Sequence, residues 1–339
     1  MRPASLRPRL ALLLVGLALL SPAGPAGAGE RPPPAAATPA IALRVGEYGG
    51  LTPDAPSYTA YEQDGRLHLR RNDGPAPGEV PLPSAEDPFV LGAAQVTGLK
   101  LNGQVIARTD LGAVRVAQIR AGAHVPGPGD GADLHPPAEP PPRRASDLVD
   151  LRTLDPGLRF DIRYAGTDNF MGFPLYERAG AWLQRPAAEA LVRANAALRP
   201  YGFGLMIHDG YRPWRVTKLF WDATPPDAHI FVADPAKGSR HNRGCAVDLT
   251  LYDLKTGQVV EMTSRYDEMS PRAFADYPGG TSLQRWRRDL LRRVMEAQGF
   301  DVYPQEWWHF DYRSWADYAI GTASFTELEQ AAGQRPPSH

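Results

Sequence analysis

Ser239-Arg240-His241-Asn242-Arg243-Gly244-Cys245-Ala246-Val247-Asp248 is the stretch that organises this chain. It continues as Leu249-Thr250-Leu251-Tyr252, with the alternation of a strand: Ala246, Asp248, Thr250 and Tyr252 on one face, Val247, Leu249 and Leu251 on the other. Asp248 thus belongs to the more polar face of a strand with an apolar back. Arg243-Gly244 supplies a turn that brings His241 back beside it. A second stretch, Glu306-Trp307-Trp308-His309, completes the set. Two imidazoles and one carboxylate with an open fourth position describe a catalytic zinc site. His241, Asp248 and His309 are those ligands. Glu306 lies three residues before His309, on the same side of one helical turn or of a tight turn, where it serves a water without binding the metal. Any one of these residues alone reads as surface or satisfied core. Four of them beside aromatic runs, in a chain with eight histidines, do not.

The 339 residues suffice for one large or two modest domains. Hydrophobic content of 43% and charged content of 22% permit a proper core, and 35 prolines with 33 glycines point to linkers and loops. A formal net charge of -1 favours neither nucleic acid nor an anionic membrane surface as partner. Residues 1–28 read as a secretory signal peptide: basic Arg2, Arg7 and Arg9, an apolar run from Leu10 to Leu20, and a small-residue cleavage site at Ala26-Gly27-Ala28. The alternative is a retained N-terminal anchor, for which the run is short. The expected location is secreted or periplasmic, without stable membrane insertion after cleavage. Cys245, the only cysteine, excludes an intramolecular disulfide and reads as a small buried filler, with a metal contact or redox role as the alternative.

Residues 29–40 form a Pro/Ala-rich linker. Residues 41–125 carry short β-prone runs, among them Tyr58 to Tyr61, Arg66 to Arg70 and Val114 to Ile119, with a hairpin turn at Asp64-Gly65. They predict a small β-rich domain with no motif for chemistry. Residues 126–147 are a second proline-rich linker, and 148–330 a mixed domain. Within it we expect a strand over Leu158 to Tyr164, a helix over Ala187 to Leu198 behind Pro186, and a strand over Gly202 to Ile207 that delivers His208-Asp209-Gly210-Tyr211-Arg212-Pro213. Asp222 to Gly238 reads as a loop across the site, and Leu283 to Gln298 as a helix stopped by Gly299. The tail after Glu329, residues 331–339 in particular, is expected to fray. The fold class is α+β, an antiparallel-rich sheet flanked by helices and preceded by the β-rich domain.

Residues 239–250 resemble the SxHxxGxAxD signature of the zinc D-alanyl-D-alanine dipeptidases, a family whose superfamily also holds bacterial D,D-carboxypeptidases and the hedgehog signalling domain. Glu306-Trp307-Trp308-His309 is similar to its ExWH motif and Asp209-Gly210-Tyr211-Arg212-Pro213 to its DGYRP segment. Asp161 to Phe170 resembles a segment near the start of that domain, and Ser264-Arg265-Tyr266-Asp267 an SRFD-like one, with Tyr266 in place of Phe. The likeness covers residues 148 to 315.

The resemblance implies one Zn²⁺ on His241, Asp248 and His309, and hydrolysis of the D-alanyl-D-alanine peptide bond by a metal-bound water with Glu306 as general base. It implies that Arg212 stabilises the oxyanion, the residue-level alternative being a structural arginine paired with a core carboxylate. It implies that Asp267 binds the substrate's free amine and that Tyr164 and Ser239 line the substrate site. Trp307 and Trp308 read as packing around Glu306 and His309, or as substrate contacts. The partner is then a small D,D-dipeptide or a peptidoglycan-derived peptide. Two alternatives stand beside this reading: a D,D-carboxypeptidase or endopeptidase on peptidoglycan stem peptides, and a noncatalytic zinc-containing module that binds the wall or a partner.

Overall fold

The computed structural model describes residues 32–333, apart from 51, 53–54, 74–77, 81, 83–88, 93–94 and 125–134. The expected leader 1–28, residues 29–31, the stretch 126–134 of the second linker and residues 334–339 lie outside the described residues. Pro34–His339 cluster as one compact unit.

A short helix, α1 (Pro39–Ala42), precedes strands β1 (Gly46–Gly49), β2 (Ser57–Gln63), β3 (Arg66–Arg71), β4 (Gly78–Val80), β5 (Phe89–Gly92), β6 (Gln95–Leu101) and β7 (Gln104–Thr109). They form one sheet in the order β4-β3-β2-β1-β7-β6-β5. The β2–β3 hairpin turns at Asp64 and Gly65, both at positive φ (51° and 74°), as the Asp-Gly pair predicts. Tyr48, Ala60, Leu69, Phe89, Val96 and Leu99 make this sheet's own core.

The next element departs from expectation. The run Val114 to Ile119, β-prone by composition, belongs to helix α2 (Leu111–Gly122). Asp110 caps it by accepting from the Ala113 amide, and Ile119 is fully buried with Val116 and Ala123 packed nearby. That core is the one of the following residues, not of the β-sheet before it. Tertiary burial of one helical face here overrides the β preference of valine and isoleucine.

From β8 (Leu148–Asp150) the chain runs through β9 (Arg159–Phe160), β10 (Trp182–Gln184), α3 (Arg185–Leu198), β11 (Phe203–Asp209), α4 (Trp214–Ala223), β12 (Ala246–Asp253), α5 (Ser282–Ala297), β13 (Phe300–Tyr303), β14 (Glu306–Tyr312) and α6 (Phe325–Gly333). The second sheet has the order β13-β14-β12-β11-β9, antiparallel except for β11–β9. Helices α3 and α5 pack on each other and on this sheet. Leu191, Ala194 and Leu198 of α3 share a core with Leu290, Leu291 and Met295 of α5 and with Val247, Leu249 and Leu251 of β12. A capping box between Thr281 and Gln284 starts α5, and Gly299, at φ 93°, follows its end.

Three local expectations need correction. The strand expected over Leu158 to Tyr164 is only two residues long, because β9 pairs with β11 at Arg159 and Phe160 and then turns into a 3-10 turn, Arg163–Ala165, that buries Tyr164. Glu306 and His309 stand on a strand, not on a helical turn or a tight turn. Helix α6 continues to Gly333, beyond Glu329, where fraying was expected. Ser324 and Glu327 cap its start, and Glu329 pairs with Arg152 and Arg178.

Gly244 closes the turn between His241 and β12 at φ +65°, and a Cβ there would come within 2.3 Å of Leu148 Cδ2. Gly244→Ala should therefore destabilise the protein by about 2 kcal/mol or more, strain and overlap together. An unchanged unfolding midpoint would contradict this account of the turn.

Candidate metal centre and substrate cavity

Strands β11, β12 and β14 lie side by side. Their register sets Asp209 opposite Asp248 and Asp248 opposite His309. Directly opposed residues keep their Cβ atoms about 4.5–5.5 Å apart, so the pairing alone brings one carboxylate and one imidazole together. A register shift between Ile207 and Asp209 places Asp209 in this row. His241 joins from the 3-10 turn His241–Arg243 just before β12.

The ring orientations follow from the second partners. His241 Nδ1 lies 2.7 Å from the Gly210 carbonyl, which only accepts, so Nδ1 carries the proton and Nε2 is left as a donor to metal. His309 Nε2 lies 2.9 Å from Asp311 Oδ1, which leaves Nδ1 facing the site. His241 Nε2 is 3.1 Å from His309 Nδ1 and 3.3 Å from Asp248 Oδ1, and the last two atoms are 3.1 Å apart. A tetrahedral ion with bonds of about 2.0–2.1 Å requires donor separations of about 3.3 Å. The donor set fits a single such ion. All three residues are nearly buried.

Electrostatics agree. Burial works against a charged His309, yet Asp311 and Asp248 outweigh it and push its pKa up to about 10. A cation bound at the three donors takes the place of that proton. Burial also opposes ionisation of Asp248, but His241 and His309 hold it well below the usual carboxylate range.

Glu306 is the first residue of β14 and pairs with Tyr303 across a register shift. That departure from the regular pleat brings its Oε2 within 3.8 Å of His309 Nδ1, although residues three apart on a regular strand face opposite ways. Burial above all, with the charges of Asp248 and Asp267 set against His309, pushes its pKa up to about 8.

A cavity of about 80 Å³ opens beside these groups, lined by Tyr164, Arg212, Ser239, Asp267, Glu306 and Trp308 with the three ligands. It is partly open to solvent. Ile230 to Ala233, from the loop expected across the site, form part of its wall. Arg212 is nearly buried. It pairs with buried Asp209 at 2.8 Å and lies over the Phe220 ring, and it also faces the cavity. Ser239 Oγ accepts from the His241 amide at 3.2 Å. Trp308 lines the cavity, whereas Trp307 donates to Ser264.

Asp267 is the least comfortable residue here. Its φ is +57°, unusual for a non-glycine residue. Its Oδ1 accepts from the Tyr164 hydroxyl at 2.9 Å, while its Oδ2 is buried with no hydrogen-bond partner. Burial, then the charge of Asp248, push its pKa up to about 8.

Known proteins bear directly on this arrangement. The profile of a peptidase family, M15, described as D-ala-D-ala dipeptidase, matches residues 144–320. A D-alanyl-D-alanine dipeptidase of Escherichia coli K12 is 34% identical over 181 residues, covering 53% of this chain and 92% of that protein. One from Enterococcus faecium is 37% identical over 175 residues, covering 46% and 87%. One from Streptomyces coelicolor is 35% identical over 182 residues, covering 48% and 90%. The chain belongs to this family. It is a zinc metallopeptidase, and His241, Asp248 and His309 form a cluster that could hold a single metal ion.

Four residues that shape the peptidase site were given no role by the sequence, although Asp209 and Gly210 stand in the DGYRP-like segment. Asp209 anchors Arg212, Asp311 and the Gly210 carbonyl orient the two histidines, and Tyr303 lines the cavity. The spacing of Asp311 two residues beyond His309 on one strand was the available signal for that pair. Cys245 is fully buried, burial pushes its thiol up to about 12, and it stands outside the metal cluster. Tyr266 gains meaning too. Its hydroxyl donates to Asp248 Oδ2 at 2.9 Å, the oxygen turned away from His241 and His309, and lies 3.2 Å from the Tyr164 hydroxyl. Tyr266→Phe should weaken zinc retention about 10-fold in competition with a chelator, the lower end of the usual effect for such supporting bonds. Unchanged affinity would show that Asp248 needs no such support.

Proposed function

We propose that the protein hydrolyses D-alanyl-D-alanine, or a peptide of that kind with a free amine, using one Zn²⁺ per chain and Glu306 as general base. Asp267 carries the substrate assignment. A buried carboxylate oxygen without a partner costs stability, and a substrate ammonium group in the cavity supplies what it lacks. The contacts from Asp267 through Tyr164 and Tyr266 to Asp248 tie this amine-binding group to the metal ligands. A substrate whose amine lies against Asp267 would set any acyl extension against that buried carboxylate oxygen, which favours a free dipeptide over a polymer stem.

When bound, zinc polarises the scissile carbonyl, acidifies water and by its charge favours the ionised form of Glu306. Glu306 then accepts a proton from the attacking water and returns it to the leaving amine. Arg212 is held by Asp209 so that its guanidinium meets the negative charge that develops on the carbonyl oxygen. Ser239, fixed against the His241 amide, borders the substrate. The leader-like residues 1–28 support a secreted or periplasmic place of action, beside the wall polymer that contains such peptides. Among the described residues, no helix is long and apolar enough to cross a membrane.

The test is hydrolysis of free D-Ala-D-Ala beside its N-acetylated form by the zinc-loaded protein. The free dipeptide alone should be cleaved. Glu306→Gln should lower kcat by at least about 100-fold, and Asp267→Asn should chiefly raise KM. Preferential cleavage of the acetylated form would overturn the amine-binding role of Asp267 and move the activity to carboxypeptidase chemistry. Zinc binding without cleavage of either would favour a longer stem peptide or a noncatalytic module.

A further inference from the structure

Helix α2 precedes the residues that the family profile matches, yet it touches two walls of the substrate cavity. Arg115 Nη1 donates to the Met269 carbonyl at 2.7 Å, two residues beyond Asp267. The same guanidinium lies 5.7 Å from the ring of Phe231, another cavity residue, and 3.4 Å from Asp227. Gly112 packs so closely on the loop of Asp267 that a Cβ would come within 2.6 Å of Glu268 Cγ. Glu268 is buried and accepts from the Arg265 amide, so it braces the loop on both sides of Asp267.

One and a half turns further along, Arg120 donates to the Asn169 carbonyl and approaches the Phe170 carbonyl at 3.4 Å. The Asn169 side chain ties its own loop together by donating to the Gly166 and Phe173 carbonyls and accepting from the Met171 and Gly172 amides. Phe170 lines the cavity and meets Tyr164 edge-on at 6.2 Å. Tyr164 is the hydrogen-bond partner of Asp267. The helix is itself fixed, since Ile119 is wholly buried in the peptidase core.

We propose that α2 is a strut that sets the Asp267 and Phe170 walls relative to each other, with Arg115 and Arg120 as positioning residues for recognition of the substrate amine. The two arginines touch neither the metal ligands nor Glu306 and Arg212. Their role is to hold backbone carbonyls of two loops, adding to the side-chain bonds by which Ser264, Tyr266 and Asp267 reach distant residues. Asp267 at φ +57° gives the loop a reason to need such support, because a strained residue persists only where its surroundings over-determine it. The inference rests on Asp267 being the amine-binding group.

The experiment compares full-length protein with Arg115→Ala, Arg120→Ala and the double variant. Zinc content, kcat and KM for D-Ala-D-Ala, and hydrogen exchange of peptides covering 166–173 and 264–270 are measured. The double variant should keep its zinc, raise KM roughly 10-fold and change kcat less than about twofold, since amine binding is lost and the chemical groups stay in place. Exchange should rise in those two loops. Arg115→Lys, which keeps the charge and one donor, should fall between, and it serves where an alanine variant does not fold. A fall in apparent kcat at constant KM would mark α2 as merely structural and overturn the proposal. Unchanged exchange in both loops would overturn it as well. If the unaltered protein does not cleave the dipeptide, the proposed function fails, and loop exchange alone then decides whether the strut exists.

Discussion

Three adjacent strands place Asp209, Asp248 and His309 in one buried row, and the site depends on how the charge in that row is neutralised. Carboxylates removed from water need cations or donors close by. Asp209 has Arg212 and the Tyr176 hydroxyl, and Asp248 has the two imidazoles, Tyr266 and the metal position. His309 has Asp311 behind it. Each group is paired on both sides, so the row works only as a unit. Removing any partner leaves a buried charge unpaired, which is why His241, Asp248, His309, Arg212 and their supports come as one set.

Much of this was legible because zinc chemistry constrains residue types and spacing. The alternation of Ala246 to Tyr252 placed Asp248 on a strand, and Arg243-Gly244 announced the turn that returns His241. The cross-strand partners were not legible. Asp209 and Asp311 acquire their roles from register, which depends on hydrogen bonding between segments far apart in the chain. The separation of Glu306 and His309 suggested a helical turn or a tight turn; a register shift on β14 achieves the same approach on a strand. In α2, β-branched residues pointed to a strand, and only burial of Ile119 in a distant core makes the helix favourable.

The β-rich segment is also tied to the peptidase body by specific contacts. Tyr61 pairs with Gly280, the Ser282 amide donates to Glu62 at 2.7 Å, and Arg285 donates to the Glu62 carbonyl. Glu47, bonded to Tyr277 and Thr59, is partly buried at the same junction, and its desolvation raises its pKa. On the peptidase side these bonds meet Tyr277, Gly280 and the first turn of α5. Nearer the cavity, Asp110 lies 3.8 Å from Arg265 and 3.8 Å from Arg272, on either side of Asp267.

The most direct test of the account is the zinc X-ray absorption spectrum of the purified protein, with metal content measured alongside. The account predicts one zinc per chain, bound by two imidazoles and oxygen at about 2.0–2.2 Å, with no sulfur at about 2.3 Å. It also predicts loss of that zinc in His309→Ala. A sulfur ligand, which only Cys245 or a methionine among this chain's residues offers, or zinc retained in the His309 variant, would contradict it.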